Sequence, residues 1–167
     1  MTTVSRENSD INQRRERIMK ISPANKNQLD DIIAIENASF TCPWSRQSFE
    51  EAMNSDNIRV LTVTDEENRV LAFSCLLIIE YEAEILNIAV SENFRNRGIG
   101  KLLADHMVSI CHEKDVTDIF LEVRESNISA QRLYEKCEFK AIGKRKKYYT
   151  NPTEDAILMK YSFPDKI

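Results

Sequence analysis

The segment that most constrains the fold of this chain runs from residue 84 to residue 114, where a predicted strand leads through a glycine-containing loop into a predicted helix. The strand is EILNIAV at 84–90. Gly98 and Gly100, two of only three glycines in 167 residues, lie where the loop meets the helix. A strand joined to a helix in this way favours an α/β fold. The apolar face predicted for the helix comprises Ile99, Leu102, Leu103, Met107 and Ile110.

Strand and helix patterns alternate along the rest of the chain. RVLTVT at 59–64 and RVLAFSCLLII at 69–79 flank the polar turn DEEN, which predicts an antiparallel hairpin. Ser45 is the predicted N-cap of a helix at 45–53. The other predicted elements are strands at 18–22, 119–124, 139–149 and 155–163 and helices at 27–40 and 128–137. In the helix at 27–40 the predicted apolar stripe comprises Leu29, Ile32, Ile33 and Ala38, with Ile35 outside it.

The first 17 residues lack a useful apolar period and mix both signs of charge, so they are predicted to be a disordered tail. Residues 18–163 are then expected to form one domain.

Composition and charge exclude several classes of protein. The net charge of −4 argues against a general nucleic-acid binder. The longest apolar run, at 70–79, has the length of a strand and is too short to span a membrane. The four cysteines are widely separated, and neither they nor the two histidines have metal-ligand spacing, so neither a disulfide framework nor a metal site is expected. These features predict a reduced, cytoplasmic chain without a membrane partner.

The glycine loop itself suits an anion. A helix N-terminus presents free backbone N–H groups and the positive end of the helix dipole, so it can bind a phosphate or pyrophosphate. Neither a Walker A loop nor a Rossmann fingerprint is present, because the lysine with Ser or Thr of the first and the third glycine of the second are missing. On the glycines alone, a plain tight turn remains an alternative.

The motif Arg95-x-x-Gly98-x-Gly100, preceded by ILNIAV, resembles the GNAT family of N-acetyltransferases. The second half of the family pattern is present as LEVRESNISAQRLYEKCEF at 121–139. Within the family, ASFTCPW, LEVR-x-SN and the ending KKYY…EDAILM resemble the bacterial branch that acetylates the N-terminal alanine of small-subunit ribosomal protein eighteen. The resemblance covers residues 20–162.

The resemblance implies a single-domain acyl-CoA N-acyltransferase (GNAT) fold, a mixed twisted α/β sheet with helices on both faces. It also implies acetyl-CoA between two parting strands, and direct transfer of acetyl to the N-terminus of a ribosomal protein. The residues that match the family's acetyl-CoA contacts are Ile88, Ala89, Val90, Arg95, Asn96, Arg97, Gly98, Ile99, Gly100, Lys101 and Asn127. Asn127 is equally explained as a helix N-cap.

The chemistry of the reaction asks for a base and an acid. A peptide α-amine has a pKa of about 8, so a base must remove a proton before the amine can attack a thioester. The family places that base at the Glu of LEVR, which is Glu122, and its proton donor at Tyr134. From the residues alone, Glu122 could be a solvent-facing strand residue and Tyr134 a core aromatic.

Three further features accompany this pattern. Tyr148 and Tyr149 match a tyrosine pair that holds the acceptor peptide in N-terminal acetyltransferases, although strands often carry aromatics for packing alone. The acidic segment EYEAE at 80–84 could receive a basic peptide or could be a solvated loop. Glu138 replaces the glycine with which the family ends its last helix in a left-handed conformation. Another residue in that conformation costs about 1 kcal/mol, so the substitution puts the local turn in question and leaves the active site unaffected.

Two alternatives to N-terminal acetylation stay open. The acetyl-CoA motif does not specify the acceptor, so a lysine side chain or a small amine could take its place. A non-catalytic acyl-CoA-binding module would keep the same loop, although the presence of both Glu122 and Tyr134 disfavours it.

Overall fold

The computed structural model describes residues 18–164, so the predicted disordered tail at 1–17 lies outside the described residues. Four α-helices and seven strands follow one another within these residues. In order they are β1 (Lys20–Pro23), α1 (Leu29–Ser39), α2 (Arg46–Asn54), β2 (Ile58–Thr64), β3 (Val70–Ile79), β4 (Glu82–Val90), α3 (Ile99–Glu113), β5 (Asp118–Arg124), α4 (Ile128–Lys136), β6 (Lys140–Tyr149) and β7 (Glu154–Ser162). Short 3₁₀ turns at Lys26–Gln28 and Glu92–Phe94 precede α1 and the glycine loop. The predicted elements are confirmed, with ends that differ by one or two residues in most cases.

The seven strands form one sheet in the order β1-β2-β3-β4-β5-β7-β6. All neighbouring strands are antiparallel except β4 and β5, which are parallel. The predicted hairpin is β2 and β3, joined through the turn at 65–69. Within residues 18–164, no helix combines the length and the apolar character needed to cross a membrane.

Helices cover both faces of the sheet, as predicted. On one face α3 and α4 bury a core that includes Leu103, Met107 and Tyr134. On the other face α1 and α2 pack Ile32 and Phe49 against the sheet. Each fully buried large side chain contributes about 1.5–3 kcal/mol of transfer free energy, so both layers are needed to hold the sheet.

Two details of the predicted helix faces were wrong. Ile35 is buried and Ala38 exposed, because Glu36, 1% exposed, occupies a place on the inner face of α1 that the apolar pattern did not consider. Leu102 is 39% exposed, because α4 packs on the side of α3 that carries Gly100. The helices themselves are confirmed, but the rotation of each about its axis depends on its partner.

The feature of the sheet that matters for function is the separation of β4 from β5. Their parallel pairing covers only Glu82–Glu84 and Asp118–Phe120, although both strands continue beyond it. β4 has a bulge just after this point, where Leu86 is an extra residue opposite the step from Cys75 to Leu76 of β3. A bulge bends its strand. Because β5 stays paired with β7 along its whole length, the bend in β4 opens a cleft between the two parallel strands.

Candidate active site

The glycine loop ends in an unusual backbone conformation at Gly98. This residue is the N-cap of α3 and has a φ of 78°, in the left-handed region that side chains other than glycine rarely adopt. A Cβ built at Gly98 would meet no atom within 4 Å. Within residues 18–164, no side chain caps this helix start. The amides of the first turn of α3 are therefore available to an anion from solvent.

Gly100 has a different reason for being glycine. A Cβ at this position would lie 2.7 Å from Cδ1 of Leu133 and 3.8 Å from Cγ2 of Val90. Gly100 thus allows α4 to approach α3 closely, and the sequence spacing, which treated both glycines as openings for a ligand, did not distinguish the two.

The charged side chains around the loop have partners within the protein. Arg95 donates from Nε to the carbonyl of Val90 at 3.1 Å and so fastens the loop to the end of β4. The guanidinium of Arg97 lies 5.3 Å from the ring centre of Phe94, and Lys101 forms an ion pair with Asp105 at 2.5 Å. Asn96 has a positive φ of 58°, and Ile99 is buried, so only its main chain can face a ligand.

The edge of β4 that faces the cleft provides main-chain groups. Ile88, Ala89 and Val90 pair with β3 on one side, while among the described residues the ladder with β5 has already ended at Glu84. An extended ligand with amide groups, such as the pantetheine arm of acetyl-CoA, can pair with such an edge. Asn127 is the N-cap of α4, where its side chain accepts from the Ala130 amide at 3.1 Å. The open edge of β4 suits the pantetheine arm of acetyl-CoA, and the glycine loop suits its pyrophosphate.

Glu122 lies on β5 and lines a cavity of about 480 Å³. The cavity is located where the pairing of β4 with β5 ends, at Glu84 and Phe120. Its side chain is 12% exposed, and its Oε1 lies 3.2 Å from Nε of Arg145 on β6. The predicted partial burial is confirmed, and the solvent-facing alternative is not.

Glu84 lines the same cavity and is a residue whose role sequence analysis missed. Desolvation by burial, with the charge and hydrogen bond of Glu122, raises the pKa of the Glu84 carboxyl above its ordinary value. The alternation of burial along β4 was the available signal, because it directs Glu84 and Glu82 to one face. Sequence alone could not show that Glu122 shares that face.

Tyr134 lies on α4, is 5% exposed and packs its ring 5.7 Å from that of Phe139. The pKa of its phenol is raised, mainly by burial and to a smaller extent by the neighbouring Tyr149 and Cys137. The phenol therefore remains protonated at neutral pH. Tyr149 interacts electrostatically with both Tyr134 and Glu122, and burial raises the pKa of Tyr149 to about 12. The predicted base and the predicted acid thus both lie within electrostatic range of Tyr149.

Tyr148 and Tyr149 lie at the end of β6 with rings perpendicular and 5.1 Å apart. Tyr148 is 47% exposed and lines the cavity with Glu122, so it can contact an acceptor. Tyr149 is held from behind by Arg124, whose guanidinium lies 4.5 Å from the ring centre. Of the predicted pair, Tyr148 is the one on the cavity wall.

Arg124, which sequence analysis did not single out, connects three separate segments. Its Nη2 donates to Oγ1 of Thr41 at 3.2 Å and to the carbonyl of Thr150 at 2.9 Å. Its Nη1 lies 3.1 Å from both the Pro152 carbonyl and Oε2 of Glu154. One planar side chain therefore holds the loop after α1 and the β6–β7 turn against the end of β5.

A second buried network holds the other end of the loop that follows α1. Glu36 accepts from the Trp44 amide at 2.8 Å and from Nδ2 of Asn87 at 3.1 Å. Burial raises the pKa of Glu36, and these two hydrogen bonds lower it again in part. The loop at 40–45 is thereby tied to β4, the strand that borders the cleft.

The buried cysteines are poorly suited to nucleophilic catalysis. Burial raises the pKa of Cys111 to about 12 and that of Cys137 to about 11. Because the thiolate is the reactive form, these side chains are inert at neutral pH. This chemistry agrees with transfer that does not pass through an acyl-cysteine.

Comparison with known proteins places these features in a family. Residues 29–139 match the model of the acetyltransferase (GNAT) family. A ribosomal protein bS18-alanine N-acetyltransferase of Haemophilus influenzae is 36% identical over 132 residues, 77% of this chain and 88% of the relative. The enzyme of the same name from Escherichia coli strain K12 is 31% identical over 141 residues, 83% of this chain and 94% of the relative. Enzymes of this name are also known as RimI.

Solved structures of acetyltransferases have the same fold as this chain. The crystal structure of the Escherichia coli ribosomal-protein-S18-alanine N-acetyltransferase has a TM-score of 0.80 at 28% identity, covering 90% of this chain and 99% of that chain. Arabidopsis thaliana NAA60 in complex with acetyl-CoA has a TM-score of 0.80 at 20% identity, covering 87% and 99%, and shows likeness of fold. The predicted family and fold are confirmed: this chain belongs to the acetyltransferase (GNAT) family.

Proposed function

We propose that this protein transfers an acetyl group from acetyl-CoA to the α-amine of a protein N-terminus, and that its substrate is the N-terminal alanine of ribosomal protein bS18. The observation that carries the proposal is a half-buried carboxylate, Glu122, in a cavity that opens beside the separation of two parallel strands. The identity with the ribosomal enzymes over most of both chains supports the choice of substrate. A ribosomal substrate makes the cytoplasm the proposed location.

Acetyl-CoA would be held by main-chain groups for the most part. The amides from Gly98 to Lys101 would bind the pyrophosphate at the start of α3, with Arg95 keeping the loop on β4. The open edge at Ile88–Val90 and the neighbourhood of Asn127 would hold the pantetheine arm. When bound, acetyl-CoA supplies the acetyl group as a thioester, whose carbonyl carbon is open to attack by an amine.

Glu122 would act as the general base. Its carboxylate would take a proton from the α-ammonium of the acceptor and leave a neutral nitrogen with a free electron pair. Arg145 fixes the direction of the carboxylate through the 3.2 Å contact with Oε1. The other face of the cavity, with Tyr148, would orient the first residues of the acceptor peptide.

Tyr134 would act as the general acid. Its buried hydroxyl keeps its proton at neutral pH because burial raises its pKa, so it can donate to the sulfur of coenzyme A when the carbon–sulfur bond breaks. The departing thiolate accepts this proton and becomes a thiol, whose pKa is about 8.5.

The acceptor would be an α-amine in preference to a lysine. Removing a proton from a lysine amine with a pKa of about 10.4 costs about 3 kcal/mol more than from an α-amine of about 8. A carboxylate base in a cavity of about 480 Å³ gives no evident compensation for that difference.

The test is acetylation of a peptide that begins with alanine and contains an internal lysine. The first acetyl group is expected on the terminus, as located by tandem mass spectrometry, and blocking the terminus should remove most turnover. A label found chiefly on lysine would reassign the protein as a lysine acetyltransferase. Tight acetyl-CoA binding with no transfer to any amine would identify a non-catalytic module.

A further inference from the structure

The cavity contains a second carboxyl group that the proposed mechanism does not use. Glu84 is the last residue of β4 that pairs with β5, opposite Phe120. Because Glu122 follows Phe120 by two residues, Glu84 and Glu122 point to the same face of the sheet. Both line the cavity, and the neighbouring Glu122 contributes to the raised pKa of the Glu84 carboxyl.

The proposed reaction has to release a proton from this part of the site in each turnover. An α-ammonium and the thioester give an N-acetyl amide, a thiol and one free proton. The nitrogen–carbon bond forms and the carbon–sulfur bond breaks, and the nitrogen loses two protons while the sulfur gains one. The base beside the nitrogen must therefore be cleared of a proton before the next cycle.

The surroundings of Glu122 leave few routes for that proton. Its side chain is 12% exposed. The charged and titratable groups that line its cavity are Glu82 and Glu84 from β4 and Arg145 and Tyr148 from β6, while β3 contributes Leu77 and Ile79. A guanidinium cannot accept a proton, and burial raises the pKa of the Tyr148 phenol, which keeps it protonated. Glu82 is exposed. Glu84 is the less exposed carboxyl, and it faces the cavity from the strand beside Glu122.

The protonation properties of Glu84 fit such a role. Burial and the neighbouring Glu122 raise its pKa, so it binds a proton at higher pH than an isolated glutamate does. A carboxyl pair that holds one proton can take a second from the acceptor and release one to water, and it then returns to its starting state.

We propose that Glu84 is a positioning residue that acts through Glu122, taking up the proton that Glu122 receives from the acceptor amine and releasing it to solvent at the cavity mouth. The inference rests on the proposed function, in which Glu122 is the base. It assigns a role within the acidic segment 80–84 to Glu84, which lies opposite Phe120 in the strand register, two residues from the base.

The experiment compares Glu84→Gln with Glu80→Gln, using an alanine-initiated peptide and saturating acetyl-CoA. Both variants remove one charge from the same acidic segment, but Glu80 is exposed and four residues away from Glu84. For Glu84→Gln, kcat at neutral pH is expected to fall about tenfold, and the acidic limb of the pH profile should lose the step due to Glu84. Glu80→Gln should stay within about twofold of the unaltered enzyme.

Chemical rescue separates proton relay from a structural role. Imidazole, added at rising concentration and constant pH and ionic strength, is expected to restore turnover of Glu84→Gln and to leave the unaltered enzyme and Glu80→Gln unchanged. A Glu84→Gln enzyme with full kcat and an unaltered pH profile would overturn the relay, and so would a slow enzyme that imidazole does not restore. If the unaltered enzyme does not acetylate the peptide at all, the proposed function fails first, and the two failures are therefore distinct.

Discussion

The two sides of the cleft are built from different parts of the polypeptide. The proposed acetyl-CoA side is a continuous run of chain from the bulge in β4 through the glycine loop into α3, and it offers mainly backbone groups. The proposed acceptor side is assembled from side chains of four elements, namely Glu84 on β4, Glu122 on β5, Tyr134 on α4 and Tyr148 on β6. A backbone site in one segment leaves a short motif in the sequence, whereas a side-chain site spread over many segments does not.

The two sides should also respond differently to mutation. Changes on the acceptor side are expected to alter turnover or peptide KM while acetyl-CoA still binds. Changes in the loop are expected to alter acetyl-CoA affinity. The predictions below test this division, beginning with the largest expected effect.

Replacement of the proposed base should affect chemistry and spare binding. Glu122→Gln keeps the shape of the side chain but cannot take a proton, so kcat is expected to fall about 10²- to 10⁴-fold. Acetyl-CoA affinity, measured by calorimetry, should stay nearly unchanged. The matched control is Glu125→Gln, three residues after Glu122, which replaces the exposed ion-pair partner of Lys144. This variant should keep the kcat of the unaltered enzyme. Loss of acetyl-CoA binding in Glu122→Gln would contradict the division.

Replacement of the proposed acid should lower turnover without loosening the core. Tyr134→Phe removes only a hydroxyl, and kcat is expected to fall about 10²-fold. Tyr161→Phe is a close control, since the rings of Tyr134 and Tyr161 both pack on Phe139, at 5.7 and 5.6 Å. A full-rate Tyr134→Phe enzyme would assign the proton donor elsewhere.

On the acetyl-CoA side, Gly98→Val should weaken acetyl-CoA binding by tenfold or more, on the order of 1.4 kcal/mol. A β-branched side chain is strained at a φ of 78° and would project over the amides of the first turn. Calorimetry measures the affinity, and Gly143→Val in β6, where a Cβ also meets no atom within 4 Å, is the control for the added side chain. Unchanged affinity in a folded Gly98→Val protein would dismiss the loop as the anion site.

Gly100→Ala should give the opposite pattern, because its Cβ would crowd Leu133 at 2.7 Å. Its expected effect is a loss of stability of about 1 kcal/mol, seen as a lower Tm, and pairing it with Leu133→Val should cost less than the sum of both. An additive double mutant would show that the two side chains do not interact.

Arg124→Lys tests whether the acceptor side depends on contacts between distant segments. Lysine keeps the charge but loses the fork that reaches Thr41, Thr150 and Glu154, so peptide KM is expected to rise about fivefold. The acetyl-CoA affinity should not change. Arg132→Lys, at an exposed position on α4, should leave peptide KM as it was, as measured by steady-state kinetics with varied peptide.

The smallest effect is expected at Glu138, just after the end of α4. Glu138 has a φ of 68°, so the chain keeps a left-handed residue at this position although it is not glycine. Glu138→Gly should stabilise the fold by about 0.5–1 kcal/mol in chemical denaturation, with no change in kinetics. Glu135→Gly, within α4, should instead destabilise it by about 1 kcal/mol. A destabilised Glu138→Gly protein would mean that contacts of the glutamate side chain stabilise the fold by more than its left-handed backbone conformation costs.

Local patterns determined most of the fold. Hydrophobic periods gave the strands and helices, the turn DEEN gave the β2–β3 hairpin, and Ser45 was correctly identified as an N-cap, accepting from the Ser48 amide at 3.1 Å. Gly98 and Glu138 were identified as special backbone positions for the same reason. In each case the residues that interact lie within a few positions of each other, so a local stretch of sequence is enough to predict the structure.

Contacts between distant segments decided the rest. The sequence alone showed two glycines in one loop, and only the packing of α4 on α3 showed that Gly100 serves that contact while Gly98 opens the backbone. The sequence alone presented Glu36 as a polar residue in a helix, and only its bonds to Asn87 and Trp44 explained its burial and the true inner face of α1. Glu84 and Glu122 are 38 positions apart in the sequence. Their meeting depends on the register of the two parallel strands, which is fixed by the packing of the whole sheet and not by any local pattern.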